Sequence, residues 1–186
     1  MEWTPLVSTI VGAAVALGGT VLAHRIRSRD ESGRELRGER RQGYLDFIVA
    51  LDGAHGALRD VANSDEPDRR HAAARAVSVN DVYEAREKFL LSANPAVITP
   101  GEKAFMRLIE VRKAIGDGAR LGTPDYHEPY HGFAKALWDL RRAIREDLGG
   151  STLTPADLDK KSWDGRDDCA VCQRGLRAAA AATSDG

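Results

Sequence analysis

The chain opens with a long stretch that carries no charged side chain. Residues 3–23 lack Asp, Glu, Lys and Arg, and most of their side chains are apolar. A helix needs about 20 apolar residues to cross the roughly 30 Å hydrocarbon core of a bilayer. The pattern therefore predicts a transmembrane helix over residues 3–23, with Pro5 in its first turn, where a missing N–H is tolerated.

Two other interpretations of this segment remain open. Val21 to Ala23 could form a signal-peptidase site, although the residues before the apolar run include Glu2 and no Lys or Arg, which is atypical of a signal peptide. A core helix of a soluble protein is the second alternative, although such helices seldom stay uncharged all round for this length. A helix lying in the membrane interface is excluded, because it would need a charged face.

The charged residues 24–42 that follow predict a juxtamembrane stalk. After this stalk, apolar residues recur in steps of three and four. Tyr44, Phe47 and Leu51 begin this series, which is typical of one face of an amphipathic helix. The spacing predicts four helices, over about residues 44–61, 70–92, 99–116 and 129–148. No segment alternates with a period of two. The predicted fold class is therefore all-α: the N-terminal transmembrane helix continues into the stalk and an antiparallel bundle of about four helices, residues 43–149.

Local signals predict where individual helices begin and end. Thr99-Pro100-Gly101-Glu102 has the sequence of a capping box with Pro in the first helical position. Pro129 suits the first turn of the fourth helix. Asn94 is expected to follow the second helix, because the residue before a Pro avoids the helical region.

The last part of the chain, residues 150–186, lacks apolar periodicity, and this pattern predicts a mostly flexible tail. One short helix is expected at Thr154-Pro155-Ala156-Asp157. Beyond Trp163 the alternatives are disorder and an ordered knuckle around two cysteines.

Charge gives the predicted membrane helix a direction. Arg25, Arg27 and Arg29 follow it directly, and such residues stay on the cytoplasmic side. We therefore expect an inner-membrane protein with its N-terminus outside and its bundle in the cytoplasm, with these arginines near anionic lipid headgroups. Two cysteines form no disulfide framework, which agrees with a cytoplasmic domain. A formal net charge of −1 predicts no nucleic-acid partner.

Small residues in the apolar segment predict that two such helices can pack closely. They recur with small-xxx-small spacing in the pairs Gly12/Ala16, Ala14/Gly18 and Gly19/Ala23. This spacing lets helix backbones approach each other in a bilayer. A homo-oligomer is therefore a candidate state, although Ala and Gly are also common throughout this chain.

His127-Glu128-Pro129-Tyr130-His131 matches the H-E-x-x-H pattern, in which two His on one helical face bind zinc and Glu activates water. Pro129 argues against this use, because it lacks an N–H and disfavours a helical conformation at Glu128. We expect the two imidazoles not to share a helical face. A membrane-anchored metal-dependent hydrolase remains the alternative function.

Cys169 and Cys172 form a single C-x-x-C pair, which supplies two of the four ligands of a structural zinc site. A second pair could come from a twin chain or from His127 and His131. The other interpretations are inert tail cysteines and a redox pair, although the βαβ setting of a thioredoxin-like motif is absent. Zinc at Cys169 and Cys172 is the one candidate cofactor, and the sequence predicts no catalytic residue.

Three stretches resemble a group of small actinobacterial membrane proteins that includes the kilB-type proteins of streptomycete conjugative plasmids. They are the Gly/Ala-rich segment from Val11 to Ala23 with its Arg-rich continuation, Arg40-Arg41-Gln42-Gly43-Tyr44-Leu45-Asp46-Phe47, and Lys88-Phe89-Leu90-Leu91-Ser92-Ala93-Asn94-Pro95-Ala96-Val97. The resemblance covers roughly residues 3–115. It implies a membrane-anchored helical protein linked to mobile elements, with no catalytic residues to transfer.

These observations predict an accessory protein rather than an enzyme. The expected partners are the lipid bilayer and an unidentified protein, and a second copy of the chain is a candidate partner. Its expected mechanism is tethering, in which the anchor raises the local concentration of the bundle and no bond is made or broken.

Overall fold

The protein is built from helices that follow one another with short connections. A computed structural model describes the backbone of residues 4–174 and the side chains of residues 33–174. Over this part of the chain it contains no strand, so the predicted all-α class is confirmed. The helices are α1 Thr4–Asn63, α2 Arg69–Ser78, α3 Val82–Ser92, α4 Pro95–Gly116 and α5 Pro124–Asp147, followed by a 3₁₀ helix, Pro155–Leu158.

The chain divides into two units, Met1–Arg40 and Arg41–Gly186. In the first unit, the described side chains of residues 33–40 are mostly exposed, and Arg37 Nε donates a 3.0 Å hydrogen bond to the Gly33 carbonyl one turn earlier. Among the described residues, no helix is both long enough and apolar enough to cross a membrane. The predicted transmembrane segment, residues 3–23, lies outside the described side chains, so it stays a prediction.

In the second unit the helices form an antiparallel bundle, as predicted. Near the start of the bundle Tyr44 on α1 bonds to Asp147 at the end of α5, while His55 further along α1 contacts Tyr126 near the start of α5. Asn94, at the start of α4, also bonds to Asp147. As α1 runs from Tyr44 to His55, its partners on α5 run backwards from Asp147 to Tyr126, and the start of α4 meets the end of α5, so α5 is antiparallel to both helices.

Aromatic side chains fill the centre of this bundle. The buried aromatic side chains include Tyr44, Phe47, Phe89, Phe105 and Phe133. Trp138 is partly exposed and stacks on Trp163 from the C-terminal part of the chain. Fully burying one large apolar side chain contributes roughly 1.5–3 kcal/mol, so this cluster is a major source of stability.

The predicted second helix, residues 70–92, is wrong as a single element. It is divided into α2 and α3 at residues 79–81, where Asp81 adopts a left-handed conformation with φ 53°. Asn80 supports the break, because its side-chain amide donates a 2.7 Å hydrogen bond to the Ala76 carbonyl. Asn and Asp tolerate this conformation better than most residues. Val79, which lies at this break, is consequently 65% exposed.

The third helix begins four residues earlier than predicted. Asn94 is the N-cap of α4, and its side-chain oxygen accepts a 3.1 Å hydrogen bond from the Ala96 N–H. Pro95 takes the first helical position, so Pro100 lies inside the helix rather than at its start. The capping-box interpretation of Thr99 and its neighbours is therefore wrong.

The fourth helix is extended in the same way. α5 begins at Pro124 with Thr123 as its N-cap, and Pro129 lies inside it. A Pro in the second turn removes only the hydrogen bond to the carbonyl four residues earlier. The helix tolerates this loss close to its N-terminus, which places Tyr126 and Phe133 in the core.

Candidate functional site

Most of the predicted membrane-associated residues lie outside the described side chains. This applies to the small residues Gly12, Ala16, Gly18, Gly19 and Ala23 and to the basic residues Arg25, Arg27 and Arg29. Their proposed roles therefore remain predictions. The residues that the structure does bring together belong to the H-E-x-x-H and C-x-x-C motifs.

The expectation that Pro129 would separate the two imidazoles is wrong. His127 and His131 lie one turn apart on α5, with ring centroids 5.8 Å apart. Residues four apart are neighbours on a helix surface. The motif therefore presents two imidazoles on one side of α5.

His131 has one ring nitrogen bonded and the other without a partner. Its side chain is 2% exposed, and Nδ1 lies 2.6 Å from the carbonyl oxygen of Asp164. Nε2 is buried and has no hydrogen-bond partner among the described residues. Because a carbonyl oxygen only accepts, Nδ1 donates to Asp164, which leaves Nε2 as the ring nitrogen that can act as a ligand.

His127 shows the same arrangement with the two nitrogens exchanged. Nε2 lies 2.8 Å from the Leu121 carbonyl oxygen, and Nδ1 lies 3.3 Å from Sγ of Cys169. Burial lowers the pKa of His127, and the charges of His131 and Arg174 add to this, against the bond to Leu121. With Nε2 donating to the Leu121 carbonyl, Nδ1 is the ring nitrogen that faces the thiol.

Cys169 and Cys172 lie at the start of a short helical segment, residues 170–174. Burial disfavours the Cys169 thiolate, but the backbone N–H groups of Cys172 and Val171 and the Cys172 side chain stabilise it and lower the pKa of Cys169 to about 7. Burial and the neighbouring Cys169 raise the pKa of Cys172. Cys169 is therefore the thiol of the pair that ionises more readily.

These side chains provide the donor set of a transition-metal site. Ligand atoms of His127, His131 and Cys169 all lie within 4.8 Å of one another. Nitrogen and thiolate donors suit zinc and related transition metals rather than magnesium or calcium, which prefer oxygen. We call His127, His131, Cys169 and Cys172 the His–Cys cluster.

Glu128 is poorly placed to act as a general base at this cluster. Its carboxylate lies 2.8 Å from Nη2 of Arg166, and its side chain is 68% exposed. The hydrogen bond from Arg166 lowers the pKa of Glu128. A general base works best with a pKa near the operating pH, so this pairing weakens the catalytic interpretation.

The segment that carries the cysteines is held along α5 by several contacts. We call residues 151–174 the C-terminal arm. Trp163 stacks on Trp138, with ring centroids 4.6 Å apart and planes at 28°. Arg166 reaches Glu128, and the Asp164 carbonyl meets His131. The predicted short helix of the arm is confirmed, since Pro155–Leu158 forms a 3₁₀ helix with a capping box between Thr154 and Asp157.

Fold and site together define an all-helical protein with a candidate transition-metal cluster. No family model, curated protein or solved structure matches the chain. The resemblance to kilB-type proteins therefore stays a prediction. Sequence reasoning identified all four side chains of the cluster but missed its supporting groups, the carbonyls of Leu121 and Asp164, because every residue has a carbonyl and no motif marks these two.

Proposed function

We propose that the chain is a single-pass membrane protein that holds a helical bundle at the cytoplasmic face of the inner membrane, where the bundle binds a protein partner. The observation that carries this proposal is the uncharged stretch of residues 3–23, which Arg25, Arg27 and Arg29 follow directly. In the second unit, the buried face that begins at Tyr44 belongs to a helical bundle.

Tethering is the mechanism of this function. A module confined to a surface meets a second confined molecule at a higher effective concentration than free diffusion would give. Small residues in the anchor favour a second copy as one such molecule. The resemblance to kilB-type proteins suggests the transfer or maintenance of mobile elements as the process.

The bundle surface offers positions where a partner can be detected. Val49 and Leu91 are apolar side chains with exposed fractions of 68% and 88%. Isolated exposed apolar residues are ordinary on a protein surface, so they serve here as crosslinking positions. A photo-crosslinker at either position is expected to trap a partner that is also located in the membrane fraction.

Membrane fractionation of matched variants tests the anchor. Val15→Arg introduces a charge at the centre of the predicted span, which costs about 2.5–3.5 kcal/mol of insertion free energy. Leu36→Arg is the control, because Leu36 lies in the stalk and is 56% exposed. We expect the wild type and Leu36→Arg to resist a carbonate wash, and Val15→Arg to be released. Wild-type protein in the soluble fraction would contradict the proposal.

Metal-dependent hydrolysis is a second candidate, favoured by the helical geometry of the H-E-x-x-H motif. Hydrolysis of peptide or ester substrates by zinc-loaded protein, abolished in Glu128→Gln, would support it. Equal hydrolysis rates in wild type and Glu128→Gln would remove it.

A further inference from the structure

The His–Cys cluster joins α5, which is packed into the core of the bundle, to the C-terminal arm, which is not. α5 contributes seven buried side chains to the bundle. The C-terminal arm contributes none: all its residues, 151–174, are exposed or only partly buried. Segments too small to form a core of their own are commonly stabilised by a disulfide or a metal ion. We infer that His127, His131, Cys169 and Cys172 bind one zinc ion that fastens the arm to α5.

The hydrogen bonds around the imidazoles indicate a metal rather than a network of protein groups. Zinc-bound His side chains usually donate their other ring N–H to a carbonyl or carboxylate, which fixes the tautomer and the ring. His131 does this through Nδ1 to Asp164, and His127 does it through Nε2 to Leu121. Both remaining nitrogens point into the cluster.

The buried Nε2 of His131 is the second, independent observation. A buried polar atom without a hydrogen bond costs about 1–3 kcal/mol. The atom has no partner among the described residues, and the His131 side chain that carries it is only 2% exposed. Coordination of a metal ion satisfies this lone pair and removes the cost.

The separations of the donor atoms fit a small tetrahedral site. Bond lengths of about 2.3 Å for Zn–S and 2.0–2.1 Å for Zn–N place a tetrahedral nitrogen and sulfur about 3.6 Å apart. Cys169 Sγ and His127 Nδ1 are 3.3 Å apart, and the three closest donors lie within 4.8 Å of one another.

Cys172 completes the set as the fourth ligand. It follows Cys169 by three residues, and the Gln173 N–H donates a 3.0 Å hydrogen bond to the Cys169 carbonyl, which closes one helical turn. This turn places both thiols on the same side of the segment.

Two thiolates and two neutral imidazoles give zinc a neutral site. Binding deprotonates each thiol that is still protonated, and those protons pass to solvent. With four protein ligands the ion has no open position for water, which is the arrangement of a structural rather than a catalytic zinc. The role of the ion is therefore to hold the arm, with Trp163 on Trp138 beside it.

Zinc content of the full-length protein tests this assignment. We expect about one zinc per chain after dialysis against metal-free buffer, and at least a tenfold loss of zinc affinity in Cys169→Ser, Cys172→Ser and His131→Gln. His71→Gln is the matched control, because His71 is exposed on α2. It should keep the wild-type zinc content. Unchanged helical circular dichroism in all four variants would show that a loss of zinc does not reflect unfolding.

Two further measurements distinguish a zinc ion that holds the C-terminal arm against α5 from an ion that is bound adventitiously. Cobalt in place of zinc should give the absorption bands of a tetrahedral, thiolate-ligated ion, with weaker sulfur bands in Cys172→Ser. A chelator should speed tryptic cleavage after the exposed Lys160 and Lys161 at least severalfold in wild type. No zinc in wild type, zinc retained in Cys169→Ser and His131→Gln, or cleavage that ignores the chelator would overturn the inference.

Discussion

The hydroxyl of Tyr44 donates a 2.8 Å hydrogen bond to Oδ2 of Asp147, and this contact links the first and last helices of the bundle. The same hydroxyl accepts a 3.1 Å hydrogen bond from the backbone N–H of Asn94. The Asn94 side chain in turn donates to Oδ1 of Asp147 at 2.7 Å. α1, α4 and α5 therefore meet at one end of the bundle through a closed set of hydrogen bonds.

Removing the Tyr44 hydroxyl should destabilise the bundle. Tyr44→Phe leaves the half-buried Asn94 N–H and one Asp147 oxygen without this partner, and such losses cost about 1–3 kcal/mol. We expect a lower free energy of unfolding by this amount, measured by thermal or urea unfolding of the purified protein. Tyr83→Phe is the control. Its hydroxyl binds Arg112 at the surface, so a change within about 0.5 kcal/mol is expected.

Gly101 should not accept a side chain. A Cβ at this position would lie well inside van der Waals distance of the Phe89 ring, which is fully buried between α1 and α4. Overpacking of this kind costs about 1–3 kcal/mol. Gly101→Ala is therefore expected to lower the melting temperature of the bundle.

Gly56→Ala is the matched comparison and should have the opposite effect. Gly56 lies inside α1, and a Cβ there would meet nothing within 4 Å. Ala is favoured over Gly in a helix interior by about 1 kcal/mol. Equal destabilisation by both substitutions would contradict the close contact of Gly101 with Phe89.

Much of the bundle could be predicted from the sequence because its apolar residues keep strict helical spacing. Tyr44, Phe47 and Leu51 lie where that spacing places them. Helix boundaries were harder to predict, because two helix-start signals lie close together in the sequence. Asn94-Pro95 and Thr99-Pro100 both resemble helix starts, and the choice depends on the tertiary bond between Asn94 and Asp147.

His55 should make the stability of the bundle depend on pH. Burial, assisted by Arg59 and opposed by Asp52, lowers the pKa of His55 to about 4 from 6.5. Between these values the unfolded chain binds a proton that the folded chain does not. The free energy of unfolding should therefore be highest above pH 6.5 and fall towards pH 4, by roughly 3 kcal/mol from this residue.

Unfolding of His55→Gln across the same pH range checks this origin. Its free energy of unfolding should vary less between pH 6.5 and 4 than that of the wild type. His71→Gln, with an exposed imidazole replaced, should keep the full dependence. Identical slopes in the wild type and His55→Gln would assign the effect to other groups.

Trp163 should hold the C-terminal arm independently of the cysteines. Trp163→Ala removes the stack on Trp138, an aromatic pair worth about 0.5–1.5 kcal/mol beyond its buried area. We expect faster tryptic cleavage after Lys160 and a more exposed Trp138, seen as red-shifted fluorescence. Trp163→Phe retains an aromatic ring and should preserve most of the protection.

The candidate ligands of the His–Cys cluster could be predicted from the sequence, but their arrangement in space could not. Cys169, Cys172, His127 and His131 were candidate ligands by residue type and spacing. Pro129 led to the wrong expectation, because the sequence does not reveal that α5 begins at Pro124 and reaches its second turn before Pro129. The return of the arm along α5 depends on Trp163 and Asp164, whose contacts are tertiary.

Protease protection of the bundle in intact cells is the most direct test of the proposed tethering at the inner membrane. Spheroplasts carrying the full-length protein are treated with a protease before and after permeabilisation, and the bundle is followed with an antibody. We predict that the bundle stays in the washed membrane fraction, resists the protease in intact spheroplasts and is digested only after permeabilisation. Digestion in intact spheroplasts, or recovery of the bundle in the soluble fraction, would contradict this proposal.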